Sequence, residues 1–242
     1  MIKEKFNSAI KLSSGEIINS SIGIQKEKIL HKIIKYYISN DANNHEIKIG
    51  RMYADVYFND TIYEIQTRQF NNLRNKLEKF LEDYKVVIVY PTSRNKIIHT
   101  ITELGEFIKT TKSPKKGTPL ELFVELYKIS SYLLHPNLSF KILYLDMEEY
   151  RLLNGWSKDK KKGSTRYDRI PTKIVEEIEI TCIQDYMQFV PYELLREFTV
   201  KEFAKATHIP AALSSVVLNI LYSLGIVTRT GKQGNAYIYA VM

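Results

Sequence analysis

The sequence predicts an α/β protein, a mixed-sheet core followed by a small C-terminal module of local structure. Three observations carry this. Residues 25–91 read in the order α-β-β-β-α-β, with the apolar period switching from helical to alternating and back. The last strand of that run, VVIVY at 86–90, is continuously apolar and is reached through a helix, which sets it parallel to its neighbour. From Thr199 onward the order is helix, turn, helix, hairpin.

After a loose polar start, residues 25–38 place Leu30, Ile33, Ile34 and Tyr37 on one helical face. NDANN at 40–44 is a loop. Three extended runs follow at 45–50, 52–58 and 61–67, and Asn59-Asp60 is the two-residue hairpin turn between the last two. Residues 70–84 put Leu73, Leu77, Phe80 and Leu81 on one helical face before the strand at 86–90, which is expected to be buried on both faces. KSPKKGTP at 112–119 is a basic loop, followed by a helix over 120–134 and an extended run at 140–145. The segment 156–169 is the most basic and lacks periodicity; it is either a solvated loop or a strand-binding arm.

Thr199 and Glu202 form a capping box that opens a short helix, which His208-Ile209-Pro210 breaks. A second helix over 211–224 buries Val217, Ile220, Leu221 and Leu224 and stops at Gly225. IVTRT, the turn GKQGN and AYIYAV complete a hairpin, giving the winged-helix order. The expected domains are 1–180, with the sheet and its basic loops, and 181–242, the winged helix with a preceding linker helix.

The 242 residues are 44% hydrophobic and 26% charged, which excludes disorder, collagen and coiled coil. The 35 basic residues outnumber the 27 acidic ones, for a net charge of +8, and this makes a polyanion the default partner. Cys182 is the only cysteine, which suits a reducing compartment. The opening residues carry no apolar signal core, and no apolar stretch approaches a bilayer span. A cytoplasmic protein with no membrane partner is expected. The histidines at 31, 45, 99, 135 and 208 lack zinc-ligand spacing, and neither a phosphate-binding Gly-rich loop nor a nucleophile elbow is found.

The informative cluster is Asp55, Glu64 and Gln66. Glu64 and Gln66 are two apart on one strand and share a face. The turn at Asn59-Asp60 folds the preceding strand back, bringing Asp55 alongside Glu64. Two converging carboxylates suit a hard divalent cation, since Mg²⁺ uses only one or two protein carboxylates together with substrate phosphate. Such an ion polarises a scissile phosphate and activates water.

An acid on the first helix, an Asp entering the second strand and Glu-x-Gln in the third, followed by a helix and another strand, resembles the PD-(D/E)XK (restriction-endonuclease-like) nuclease superfamily over residues 21–91. The resemblance implies that Asp55 and Glu64 bind Mg²⁺, with Mn²⁺ as a substitute, together with the backbone carbonyl of Ile65. It further implies that Gln66 orients the attacking water and that Glu27 is an outer acid. Ala54 stands where the family often has Pro. Gln66 replaces the commoner Lys, and a neutral amide cannot offset transition-state charge. Lys48 or Arg68 is the expected source of the missing cation.

Nucleic-acid contacts are expected from Arg68 beside a helix start and from Arg166 and Arg169 in the basic segment. In the winged helix, Ser214, Ser215 and Asn219 are read as exposed toward base edges, with Arg229 and Lys232 near phosphates. The second helix itself has no Lys or Arg, so a dimerisation or docking module stays open as the alternative. Arg74 is expected to face phosphate or to pair with Glu78 or Glu82. The function expected is a metal-dependent endonuclease hydrolysing DNA phosphodiester bonds in restriction, defence or phage DNA processing; cutting both strands with one site per chain favours a homodimer. The alternative is a catalytically inactive nuclease-fold protein that binds nucleic acid or regulates.

Overall fold

The computed structural model of the chain describes residues 1–19, 28–155, 163–194 and 196–242. The protein is α/β. Helix α1 (Ile2–Asn19) precedes α2 (Ile29–Ile38), and β1 (His45–Ile49), β2 (Met52–Phe58) and β3 (Thr61–Ile65) follow as an antiparallel meander. Then come α3 (Arg74–Asp83), the long β4 (Lys85–Ile101), β5 (Phe107–Lys112), α4 (Leu122–Leu126), β6 (Leu138–Leu152) and β7 (Thr165–Ile180). The C-terminal elements are β8 (Phe198–Thr199), α5 (Val200–Thr207), α6 (Ala211–Ser223), β9 (Val227–Gln233) and β10 (Ala236–Val241).

The large sheet has strand order β1-β2-β3-β4-β6-β7, with β5 paired to β4. It is a mixed sheet. Contacts between β4 and β6 climb together, from Asn95–Asp146 through Lys96–Glu149 to the backbone bond from Leu153 N to Ile101 O, so these strands run parallel. Between β6 and β7 they run in opposition, Asp146 with Thr172 and Asn154 with Thr165.

The chain divides into two compact units. The first comprises Met1–Ile65, Val89–Thr118 and Ile142–Ile178. In it, α2 packs on β2 and β3. Its Lys35 bonds Glu46 of β1 and its Tyr37 bonds Glu177 of β7, so strands from both ends of the sheet order reach one helix. The sheet therefore curls about α2. The start of α2 is tied to β7 by Lys28 Nζ donating to the Tyr167 carbonyl at 2.7 Å and Ile29 N donating to Asp168 at 3.4 Å.

The second unit comprises Gln66–Ile88, Pro119–Lys141 and Glu179–Met242. Here α6 packs on α4 and α5, Phe123 meets Tyr186 and Phe189 edge-on, and β8-β10-β9 form a three-stranded sheet. The domain boundary expected from the sequence falls at 180/181. The compact unit that holds the C-terminal elements also draws in 66–88 and 119–141, because the apolar face of α6 is covered by residues 119–132 rather than by its own neighbours in sequence alone.

The expected element order over residues 28–90 is present, and its expected apolar faces are buried: Leu30, Ile33, Ile34 and Tyr37 on α2; Leu73, Leu77, Phe80 and Leu81 at α3. Three expectations need correction. The polar start is helical as α1; among its described side chains the buried apolar ones are Phe6 and Ala9, set in a polar run that hides the period. The expected helix over 120–134 is α4 flanked by 3-10 turns and kinked at Ile129 (φ −123°, ψ 26°). Residues 165–169 open β7, whose alternation is hidden by charged residues and Pro171; of the basic segment, 156–162 lie outside the described residues.

Candidate functional site

The site is built on the β2–β3 hairpin. Asn59 and Asp60 have φ of 49° and 55°, the left-handed pair that a two-residue hairpin turn of matching twist needs. Tyr57 Oη bonds Asp60 at 3.3 Å and Thr61 Oγ1 bonds the Asn59 carbonyl at 3.2 Å, which steadies the turn. Register follows from it: Phe58 opposes Thr61, Tyr57 opposes Ile62 and Val56 opposes Tyr63. One step further sets Asp55 opposite Glu64.

The paired register ends at Val56 and Tyr63; counted one step on, Asp55 and Glu64 fall at a non-hydrogen-bonded position, the kind in which side chains stand closest. Both project from one face. The next main-chain partner of Ile65 would be Ala54; instead Ile65 N donates to Asp55 Oδ2 at 2.7 Å. The Asp55 carboxylate thus sits against the residue whose carbonyl is the expected third ligand. Asp55 is half-buried and Glu64 is 2% exposed.

The same counting on β1, where His45 opposes Val56 and Ile47 opposes Ala54, sets Glu46 opposite Asp55. Three carboxylates therefore share one row across three strands. Glu46 leaves that row: its backbone is left-handed (φ 52°), and its side chain bonds Lys35. Among the described residues, no group of three or more His, Cys, Asp or Glu side chains is placed to hold a metal ion. What remains is a pair of hard oxygen donors, a set that suits Mg²⁺ or Mn²⁺ and does not suit a thiophilic metal.

Gln66 follows β3 directly and is half-buried. Glu27 lies outside the described residues; it adjoins Lys28, which bonds β7. Lys48 on β1 and Arg68 are exposed. The buried lysine of this region is Lys35, 2% exposed on the helix that packs over β2 and β3, and sequence reasoning missed it. Its signal was present: a lysine inside the run IIKYYI, apolar on every side, belongs to a buried helix and must carry a partner.

Of the expected nucleic-acid contacts, Arg166 is exposed and Arg169 half-buried at the start of β7. In the C-terminal module the expectation that Ser214 is exposed is corrected. It is fully buried and its hydroxyl donates to the Pro210 carbonyl, because 214, 217, 218 and 221 form the inward stripe of α6. Ser215 is half-buried and donates to the Ala211 carbonyl at 3.0 Å. Asn219 is exposed, and Arg229 Nη2 donates to its Oδ1 at 2.8 Å. The Arg229 guanidinium lies 4.3 Å from the Tyr222 ring and 4.0 Å from that of Tyr237, so it holds β9 to α6. Lys232 is exposed over Tyr237. Arg74 donates to the Lys128 carbonyl at 2.9 Å rather than pairing with Glu78 or Glu82.

A family model described as Domain of unknown function (DUF8091) matches residues 28–181, from α2 to the end of β7. The chain belongs to that family. The DUF8091 region contains Asp55 and Glu64 and stops before the C-terminal module. The chain is also 32% identical over 150 residues to an uncharacterized protein of Treponema pallidum (strain Nichols), a match covering 62% of this chain. It spans 57% of that relative's length. No solved structure matches the chain. No helix of the described residues is long and apolar enough to cross a membrane.

Proposed function

We propose that this DUF8091 protein is a metal-dependent nuclease that hydrolyses DNA phosphodiester bonds. In this reading residues 28–90 form a restriction-endonuclease-like core, and 199–242 form a winged helix that engages substrate or partner. The observation that carries it is the hairpin register, which sets Asp55 against Glu64 with the Asp55 carboxylate held on Ile65. Asp55, Glu64 and the Ile65 carbonyl would hold Mg²⁺ or Mn²⁺, and a bound ion supplies charge neutralisation at the scissile phosphate. Glu64, buried near the end of the interior strand β3, would hold its carboxylate away from solvent. Asp55 keeps one oxygen on Ile65 N, and its carboxylate would ligate the ion. Gln66 offers an amide that can orient a water but cannot take its proton.

One observation favours a second reading, a nuclease-fold protein that binds nucleic acid without cutting: the position after Ile65 is a neutral Gln, and the expected substitutes Lys48 and Arg68 are exposed. The test is incubation of the full chain with plasmid, single-stranded DNA and RNA in Mg²⁺ or Mn²⁺, beside Glu64→Ala. Cleavage by the native protein that vanishes in the variant supports the nuclease; equal cleavage by both, or by neither, sinks it.

A further inference from the structure

We propose that the sheet face formed by β4, β5 and β6 is a nucleic-acid backbone-binding surface, with Arg94, Lys96, Lys109 and Arg151 as its phosphate contacts. This surface is independent of the hairpin at Asp55 and Glu64.

β4 and β5 form an extended ribbon. β4 is a 17-residue strand, and its far half pairs with β5, every residue of which is exposed except the half-buried Thr111. Pairing of Thr100 with Lys109 and of Ile98 with Thr111 sets those four residues on one face. Strand alternation adds Arg94 and Lys96 to the same face. From the parallel neighbour β6, Glu149 bonds Lys96 at 3.1 Å, which places Glu149 there, and Arg151 two residues on.

Charge on this face is uneven. Among β4, β5 and β6 it carries the four cations and a single carboxylate opposite them, Glu149. That carboxylate is 2% exposed and shared: Lys96 Nζ reaches one oxygen, and Arg151 Nε reaches the other at 2.7 Å. Burial pushes the Glu149 carboxyl up, but the bonds to Arg151 and Lys96 outweigh it and hold it below the ordinary glutamate range. Glu149 is therefore an anchor that fixes two cations in place. Lys96 and Arg151, partly exposed, keep unused donors, and Arg94 and Lys109 flank them with no carboxylate partner among the described residues.

The opposite face of the ribbon is different. It holds Lys112 and His99, but also Asp146 and Glu148, with His99 Nε2 3.4 Å from Glu148. The ribbon's own acids, Glu103 and Glu106, lie in the turn beyond the basic stem. A fixed row of cations against one buried anion calls for a partner that brings several negative charges at once. A two-stranded ribbon is a shape that the DNA major groove admits, and phosphate neutralisation releases counterions without any sequence requirement.

The experiment is fluorescence anisotropy of a labelled 20-mer duplex with the full chain in EDTA, over a salt series. The native protein should bind with affinity that falls steeply with salt. Arg94→Ala/Lys109→Ala, both exposed positions, should weaken binding at least about tenfold and flatten the log–log salt slope by about 1.8, at about 0.9 for each phosphate no longer neutralised. Lys112→Ala, on the opposite face, should leave the slope unchanged. No duplex binding by the native protein, an unaltered slope in the double variant, an equal effect per charge from Lys112→Ala, or equal affinity for poly-glutamate would each overturn the proposal. Because the assay in EDTA reads binding without cleavage, failure of the nuclease reading and failure of this surface are read separately.

Discussion

Asp55 has two jobs that one pair of variants can separate. Its Oδ2 accepts from Ile65 N at 2.7 Å, a short charge-assisted bond, and its second oxygen belongs to the proposed metal pair with Glu64. Asp55→Asn keeps the shape and an amide oxygen able to accept from Ile65. A hydrogen bond to a charged acceptor contributes about 1.5–3 kcal/mol and a neutral one about 1, so the expected loss of stability is about 1 kcal/mol. Asp55→Ala leaves the Ile65 N–H without its acceptor in a partly buried setting, at a cost of about 1–3 kcal/mol. For the chemistry, the two substitutions are expected to be alike. Each removes one of two carboxylate charges, and a unit-charge pair 4 Å apart near a protein surface interacts by about 4 kcal/mol. Even after part of this is offset by desolvation, about 2.7 kcal/mol remains, or about 100-fold in cleavage rate. Urea unfolding in EDTA measures the first quantity, and single-turnover cleavage of plasmid in Mg²⁺ measures the second. Asp55→Asn with near-native cleavage would refute metal ligation by Asp55 and leave it a purely structural cap on Ile65.

Two further outcomes are expected. Because Glu149 is held below its ordinary pKa of 4.5 in the fold, the stability it contributes is present at neutral pH and is lost as pH falls through the folded value; Glu149→Gln should flatten the urea midpoint below about pH 4.5, and superimposable acid profiles would count against it. Thr199 N donates to Glu202 at 2.7 Å and Glu202 N donates to Thr199 Oγ1 at 3.4 Å, so Thr199→Ala should cost about 1 kcal/mol by removing the cap of α5. A midpoint unchanged within error would show that the module does not need this cap.

The elements read correctly from sequence are those whose signal is local. The capping box at Thr199 and Glu202, the stop at Gly225 (φ 72°) and the Asn59-Asp60 turn each follow from a few adjacent side chains and backbone sterics. The elements missed lack such a signal. β5 and β7 carry charged or polar residues on both faces, so no alternation stands out, and the buried apolar residues among the described side chains of α1, Phe6 and Ala9, sit in a polar run. In the candidate site, the pairing of Asp55 with Glu64 was legible because a two-residue turn sets register by counting. Lys35 was legible as a buried lysine in an apolar run, but its partner was not, because that depends on which helix lies over which strands. Ser214 was misread for a related reason: a small polar side chain inside a helical stripe gives no hydropathy cue, and its hydroxyl is satisfied by the helix's own Pro210 carbonyl.

By itself, then, the sequence determined the hairpin that opposes two carboxylates, the helices with strong periodicity and their caps, all of which rest on interactions spanning ten residues or fewer. Tertiary structure alone decided how the sheet is ordered, that residues 66–88 and 119–141 join the C-terminal elements in one compact unit, that Glu46 turns out of the acidic row to Lys35, and that Arg229 is held between two tyrosines. Those outcomes turn on burial, which makes a lysine or an arginine find a partner wherever the packed chain puts one. Spacing along the sequence carries no record of that choice.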